Sequence, residues 1–237
     1  LHFESGLAAM YVWVNGQQVG YSEGTKTAVE FDITPYVHGG KNLLAIEGYR
    51  WADGSYLEDQ DFWRLSGFDR AVKLYSVAKT RIADMFVIAD LDKRYKTGEY
   101  SATIQLDNTD NKPFKGVVEL LLADASGRTV KTLKQSVELS DSSELTFSFK
   151  LPKVNTWSHE HPYLYTSVVT LKDAEGNVVE ATSCRTGFRK VEIRDAQLLL
   201  NGRRLMINGV NIHEHNPATG HVINRELMLK DITLMKQ

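Results

Sequence analysis

One cysteine, Cys184, stands in a chain of 237 residues, which rules out a disulfide within the chain. The compartment stays open, because exported proteins without disulfides also exist. Cys184 sits in the strand-like run EATSCRTGF and is expected to be a buried small hydrophobe. A nucleophilic role would need a base beside it, and none is near in sequence. No apolar run approaches the ~18 residues of a membrane span, and no signal peptide is visible. The net charge of −2 holds no basic surplus for nucleic acid or an anionic membrane. Neither is expected as a partner; a neutral partner suits the balance, as would no special partner at all. An initiator methionine is missing too. The chain begins LHFESGLAAMYVWVNG, already in strand-like alternation, and reads as a piece of something longer. No internal repeat or low-complexity tract is present.

What is there is the profile of a soluble folded protein, with 42% apolar and 24% charged residues. The first eighty or so residues look all-β. AAMYVWVNGQQVGYS puts Asn15-Gly16 between two alternating runs, a two-residue hairpin signal. AVEFDITPYV is expected as a strand ended by Pro35, HGGKNLLAIEGYRW as a Gly39-Gly40 turn and a strand, and AVKLYSVAKTRIADMFVIADL as two more. Strands at this spacing suggest a sandwich or barrel. Residues 79–190 repeat the style. About seven alternating runs, with glycine in the turns DASGR and DAEGN, are the size of an immunoglobulin-like β-sandwich without its paired cysteines. KVNTWSHEHPYLY interrupts it; Trp157 is expected to pack over the sandwich end. His159 and His161 near Glu160 read as a solvated loop ahead of Pro162, with metal binding as the sharper alternative.

Residues 191–237 change character. AQLLLNGRRLMINGVNIHEHNP is a hairpin across Asn201-Gly202 followed by an apolar strand. NRELMLKDITLMKQ then reads as a helix, with Asn224 as N-cap and Leu227, Leu229, Ile232, Leu234 and Met235 as a broad apolar face. One βα unit cannot bury itself and calls for further strands, as in a parallel α/β sheet or barrel.

Two stretches carry chemistry. GVNIHEHNP lies between the expected strand and the helix, where barrel enzymes place their active sites, and offers Asn211, His213, Glu214 and His215. In extended chain His213 and His215 share a side and Glu214 faces the other way. Zinc is conceivable, but the helical H-E-x-x-H spacing is absent and no third ligand is visible. Hydrogen bonding to a polar substrate suits the position better; a polar loop capping the strand is the bland alternative. The second stretch is WADGSYLEDQDFWR, residues 51–64, with Asp53, Glu58, Asp59 and Asp61 among Trp51, Tyr56, Phe62 and Trp63. A hydrolytic pair must straddle the scissile bond, about 5 Å apart in retaining enzymes, and acids packed into one loop do so poorly. They can accept hydroxyl hydrogen bonds or hold a hard cation, while tryptophan faces can hold a sugar ring. Equally, the acids can pair with Arg50, Arg64 and Arg70 in a buried corner. The residues alone leave both open.

RWADGSYLEDQDFWRLSGFDRAV resembles the signature of the bacterial β-galactosidases of glycoside hydrolase family two. YVWVNGQQVGYSEGTKTAVEFDIT before it is similar to the preceding strands of the same domain. LLLNGRRLMINGVNIHEHNPATGHVINRELMLKDITLMKQ is similar to the entry of the family's catalytic barrel. The resemblance implies a mainly β chain in three parts: the C-terminal part of a jelly-roll sugar-binding domain over 1–78, an immunoglobulin-like β-sandwich over 79–190, and the first βα unit of a (β/α)8 TIM barrel over 191–237. It also implies a bacterial enzyme, cytoplasmic or periplasmic and homo-oligomeric, that hydrolyses terminal β-D-galactosides with retention. Both catalytic glutamates would lie beyond Gln237, as would the Mg2+ ligands, so this piece is expected to be inactive alone. Asp61 matches the aspartate that binds sodium and galactose hydroxyls, and His213 the histidine that contacts galactose and favours the transition state. Glu58 and Asp59 are expected to hold the loop, and Asp53 with Glu23 to bind a structural cation. One departure is visible: the family's acid after the arginine of S-G-I-F/Y/W-R-D-V is Ala71 here, leaving Asp69 as a substitute. The rival from another class is a non-catalytic glycan-binding or complementing β-sandwich fragment, against which the βα unit argues.

Overall fold

The computed structural model describes residues 1–24, 27–58, 65–110 and 112–237, with only the backbone of Glu58. The described chain forms two compact units, residues 1–76 with 209–237, and residues 77–208.

The first unit holds β1 (His2–Phe3), β2 (Ala9–Val14), β3 (Gln17–Glu23), β4 (Val29–Glu30), β5 (Leu44–Tyr49) and β6 (Val72–Lys73). They make two antiparallel sheets, ordered β3-β2-β5 and β4-β1-β6. Alternation in AMYVWV sets β2: Met10, Val12 and Val14 are buried, while Tyr11 and Trp13 turn to the other face. Phe3, Met10 and Val12 form the core, and the Phe3 ring stacks on Phe68 at 5.4 Å and meets Phe31 edge-on at 6.1 Å. Asn15-Gly16 closes the β2–β3 hairpin with φ of 52° and 80°, the primed turn that matches strand twist. The Asn15 side chain then laces the turn to its surroundings. Its amide donates to Tyr36 O (2.9 Å) and Asn42 Oδ1 (2.8 Å), and its carbonyl accepts from Leu43 N at 2.9 Å.

The run AVEFDITPYV departs from expectation. Only Val29–Glu30 is a strand, and Pro35 sits inside a 3-10 turn over Thr34–Tyr36. Asp32 Oδ1 accepts from Thr34 N at 2.8 Å, so a local side-chain bond competes with pairing just before the proline.

The second unit is the sandwich. Its strands are β7 (Thr80–Leu91), β8 (Gly98–Asn108), β9 (Phe114–Ala123), β10 (Thr129–Leu139), β11 (Ser143–Leu151), β12 (Tyr165–Asp173) and β13 (Val178–Thr186). Seven strands form sheets β10-β9-β12-β13 and β11-β8-β7. Strict alternation in β8, β9 and β12 sends Tyr100, Ala102, Ile104, Leu106, Val118, Leu120, Leu122, Val169 and Leu171 into one core. On an outer face the Glu119 carboxylate sits between Lys172 Nζ (2.9 Å) and Lys134 Nζ (3.1 Å), which hold its carboxyl below the ordinary value. Trp157 packs as expected: its N–H donates to Phe188 O at 2.9 Å, and the Arg189 guanidinium lies 4.9 Å from its ring centroid. Gly187 is required there, since a Cβ would lie 2.6 Å from Trp157 Cβ. Cys184 is half-buried rather than buried, and burial pushes its thiol up.

A three-stranded meander completes the same unit: β14 (Val191–Arg194), β15 (Gln197–Leu200) and β16 (Arg203–Arg204). Asn201-Gly202 repeats the Asn15-Gly16 device, with φ of 52° and 75°. The Asn201 carbonyl accepts from Lys190 N (2.9 Å) and its amide donates to Trp157 O (3.0 Å). The β14–β15 turn is Asp195-Ala196, with φ of 50° and 57° and no glycine. Alanine in that region costs roughly 1 kcal/mol or more. Ala196→Gly is therefore expected to raise the denaturant midpoint by an amount worth roughly 1 kcal/mol; a lowered midpoint would show that the turn is not strained.

Beyond β16, residues 205–212 run without strand pairing, and Met206, Ile207, Val210 and Ile212 are exposed. A barrel strand is held by parallel neighbours, and no strand among the described residues pairs with this one. The helix does form, as α2 (Arg225–Lys236), after the one-turn α1 (Ser55–Glu58) near the start of the chain. Asn224 caps α2, its Oδ1 accepting from Leu227 N at 2.9 Å. Among the described residues no helix is long and apolar enough to cross a membrane.

Candidate functional site

Asp61, the residue singled out for sodium and galactose, lies outside the described residues, as do Asp59, Phe62, Trp63, Arg64 and the side chain of Glu58. The approach to them is well defined. After β5 the chain turns at Ala52–Ser55, where Ser55 Oγ accepts from Ala52 N at 2.9 Å, and enters α1. Arg50 lies 5.5 Å from the centroid of the half-exposed Trp51 ring, a cation–π contact. Tyr56 and Leu57 are largely exposed.

Asp53 and Glu23 converge on Tyr21. Burial first, and then the Glu23 carboxylate hydrogen-bonded to it, push the Tyr21 phenol above its ordinary value, with Asp53 adding to the effect. Both carboxylates thus face one hydroxyl at the edge of sheet β3-β2-β5. A calcium-like cation takes six or more oxygens. Two carboxylates are a beginning only, and among the described residues no group of three or more His, Cys, Asp or Glu side chains stands together.

At the departure from the family pattern, Asp69 Oδ1 accepts from Ser5 Oγ at 2.5 Å. Glu4 lies beside Ala71: Glu4 N donates to Ala71 O at 3.0 Å, and the Glu4 carboxylate takes Ala71 N and pairs with Lys73. The Lys73 bond holds the Glu4 carboxyl below its usual range.

His213 is exposed and His215 half-buried on the irregular segment before α2. The turn after the two histidines is ordered. Asn216 N donates to Gly220 O and Gly220 N to Asn216 O, both at 2.8 Å, and Asn216 Oδ1 accepts from Ala218 N at 2.8 Å. Gly220, at φ 64°, approaches Leu65, whose Cδ1 would lie 2.8 Å from an added Cβ. This turn therefore lies against the residue just beyond the acid-and-aromatic stretch. His159 and Glu160 are 3.6 Å apart on an exposed loop.

One aromatic cluster belongs to no sequence motif. Tyr11 is ringed by Tyr21 (4.6 Å between centroids), Trp13 (5.8 Å) and Tyr49 (6.1 Å) on a single sheet face. The signal was present, since alternation in β2 already turns Tyr11 and Trp13 away from Met10 and Val12.

Comparison with known proteins bears on the whole chain. Residues 1–78 match the sugar binding domain of glycosyl hydrolases family 2, residues 80–189 match glycosyl hydrolases family 2, and residues 191–237 match its TIM barrel domain. The chain is 42% identical to a β-galactosidase of Priestia megaterium and 41% identical to one of Halalkalibacterium halodurans; each match takes in 100% of the chain and 23% of the relative. It thus spans about a quarter of their length. Among solved structures, a Bacteroides uniformis β-glucuronidase superposes with TM-score 0.87 at 21% identity, covering 99% of this chain and 29% of that one. A putative β-galactosidase from Bacteroides fragilis gives 0.86 at 24%, covering 98% and 36%. These two likenesses carry the fold: a sugar-binding β domain, an immunoglobulin-like sandwich and the start of a TIM barrel. On the matches along its length, the chain belongs to the glycosyl hydrolases of family 2.

Proposed function

We propose that these residues are part of a retaining β-galactosidase acting on terminal β-D-galactosides, supplying substrate contacts and scaffold. The supporting observation is end-to-end identity of about two residues in five with β-galactosidases, against 21% with the β-glucuronidase of similar fold. His213 and Asp61 are the substrate residues. A neutral imidazole offers one donor and one acceptor to sugar hydroxyls; a carboxylate accepts hydroxyls and can share a sodium ion with oxygens from elsewhere in the enzyme. Neither group transfers the catalytic proton. The acid/base and nucleophile are glutamates outside these residues, so the 237 residues alone do not turn over substrate. Mg2+ finds no adequate ligand set among the described residues, and no step here runs through it. Asp53 and Glu23 supply two of the oxygens a structural cation needs. The parent enzyme is taken to be a homo-oligomer.

The test uses the intact enzyme. His213→Ala is expected to lower kcat/KM for a nitrophenyl β-galactoside by about 10²-fold, the scale of a lost transition-state hydrogen bond. Asp61→Asn is expected to weaken galactoside affinity and to flatten the response to sodium. Wild-type kinetics and sodium response in both variants would overturn the assignment.

A further inference from the structure

We propose that the open face of sheet β3-β2-β5 is a binding platform for neutral sugars, built by Tyr11, Trp13, Tyr21 and Tyr49 with Glu23 and Glu47 at its rim. Register assembles it. Tyr11 pairs with Tyr21 on one side and Glu47 on the other, Ala9 with Glu23 and Tyr49, and Trp13 with Gln18 and Ala45. Paired residues point to one face, so three strands present a continuous array. Its rings touch in series through Tyr11, at 4.6 Å to Tyr21, 5.8 Å to Trp13 and 6.1 Å to Tyr49. Tyr21 and Tyr49 remain 45% and 42% exposed, so the outer rings are accessible. Ala9 and Ala45 leave low places between the rings. Neighbouring strands lie about 4.8 Å apart, and three of them give room for two linked pyranoses.

The rim chooses the occupant. Tyr49 Oη donates to Glu47 Oε1 at 2.8 Å, and Glu23 bonds the Tyr21 phenol. Each carboxylate has acceptor sites for more than one donor. Burying two carboxylates under an apolar protein surface is costly, and acids are depleted from such interfaces. A sugar answers both halves: its C–H face lies on the rings and its hydroxyls donate to the acids. The charge narrows the class further. Glu23 and Glu47, with Asp53 beside Tyr21, face no basic side chain among the residues these strands turn outward. Neutral sugars fit, and uronates are repelled. Only the choice of galactoside as probe rests on the proposed function.

The experiment titrates the 237-residue chain, followed by tryptophan emission, with lactose, methyl β-D-galactopyranoside and sodium methyl β-D-glucuronide. Saturable binding of the neutral sugars is expected, with the glucuronide at least about tenfold weaker. Tyr21→Ala removes one ring and weakens lactose binding by about tenfold. Glu47→Gln, on an exposed strand position, reduces the discrimination against glucuronide even if the tyrosine variant fails to fold. His213→Ala leaves binding unchanged. No saturable binding, or equal binding by Tyr21→Ala, overturns the platform. Binding lost in His213→Ala but kept in Tyr21→Ala also overturns it, while upholding the proposed function.

Discussion

Phe188→Ala is expected to cost the sandwich about 3–5 kcal/mol, the range for a buried aromatic truncated to alanine. Phe188 has no exposed surface. Its ring stands edge-on to Tyr165 at 5.1 Å and 88°, and tilted to Tyr100 at 6.3 Å. Two faces of the cavity left behind are thus rigid rings that cannot collapse into it. Gly98 bounds another side, where a Cβ would lie 2.8 Å from Phe188 Cε1, so no neighbouring side chain grows in from that strand. The Phe188 backbone should hold, because Trp157 N still donates to its carbonyl and Thr156 bridges it in parallel. The loss is therefore one of transfer and cavity energy. A domain of this size has only about 5–15 kcal/mol to lose. Urea unfolding read by Trp157 emission should show the midpoint fall with little change in slope. A loss below about 1 kcal/mol would mean that the site repacks around the missing ring.

Phe188 also marks where sequence stops being enough. The seven sandwich strands are legible because each carries its own alternation: Tyr100, Ala102, Ile104 and Leu106 declare an inward face without reference to any partner. The two Asn-Gly turns and the Asn224 cap are legible for the same reason, since glycine and a short amide act within a few residues of themselves. Asp195-Ala196 forms the same kind of turn with neither signal, because the pairing of β14 with β15 imposes positive φ on residues that do not favour it. AVEFDITPYV misleads in the opposite direction: its alternation fits a strand, yet only Val29 and Glu30 find a partner, in β1. Residues 205–212 are apolar enough for a barrel strand, but a strand is a property of two chains and not of one. At the candidate site, chemistry could be read from residue types at Asp61 and His213, whereas Tyr11, Tyr21 and Tyr49 meet only through strand register. Tyr49 reaches that face because it pairs with Ala9 across the β2–β5 ladder, a separation in sequence that no local pattern spans.

Alkaline pH should expose the other buried aromatic. Tyr100 is 2% exposed, and its phenol is pushed up to about 12, chiefly by burial; the bond its Oη donates to Ser167 Oγ at 2.8 Å works the other way, and Cys184 adds a small further rise. In the unfolded chain the same phenol titrates near 10. Between those values the unfolded state has lost the proton and the folded state still holds it, so unfolding is favoured increasingly as pH rises. The Tyr100 contribution is complete below pH 10 and is lost on the way to 12. By pH 12 the loss amounts to about 2 kcal/mol. Tyr100→Phe keeps the ring, including its stack on Phe149 at 4.6 Å, but removes both the proton and the bond to Ser167, whose side chain is fully buried. At pH 8 the variant should be less stable by about 1 kcal/mol, the ordinary net worth of one hydrogen bond. At pH 12 it should be the more stable of the two. Other tyrosines and lysines titrate in the same window, but they do so in both proteins and cancel in the difference. Stability curves from urea unfolding at intervals from pH 8 to 12 should therefore cross near pH 11. Parallel curves would show that the folded interior gives up the Tyr100 proton as readily as water does.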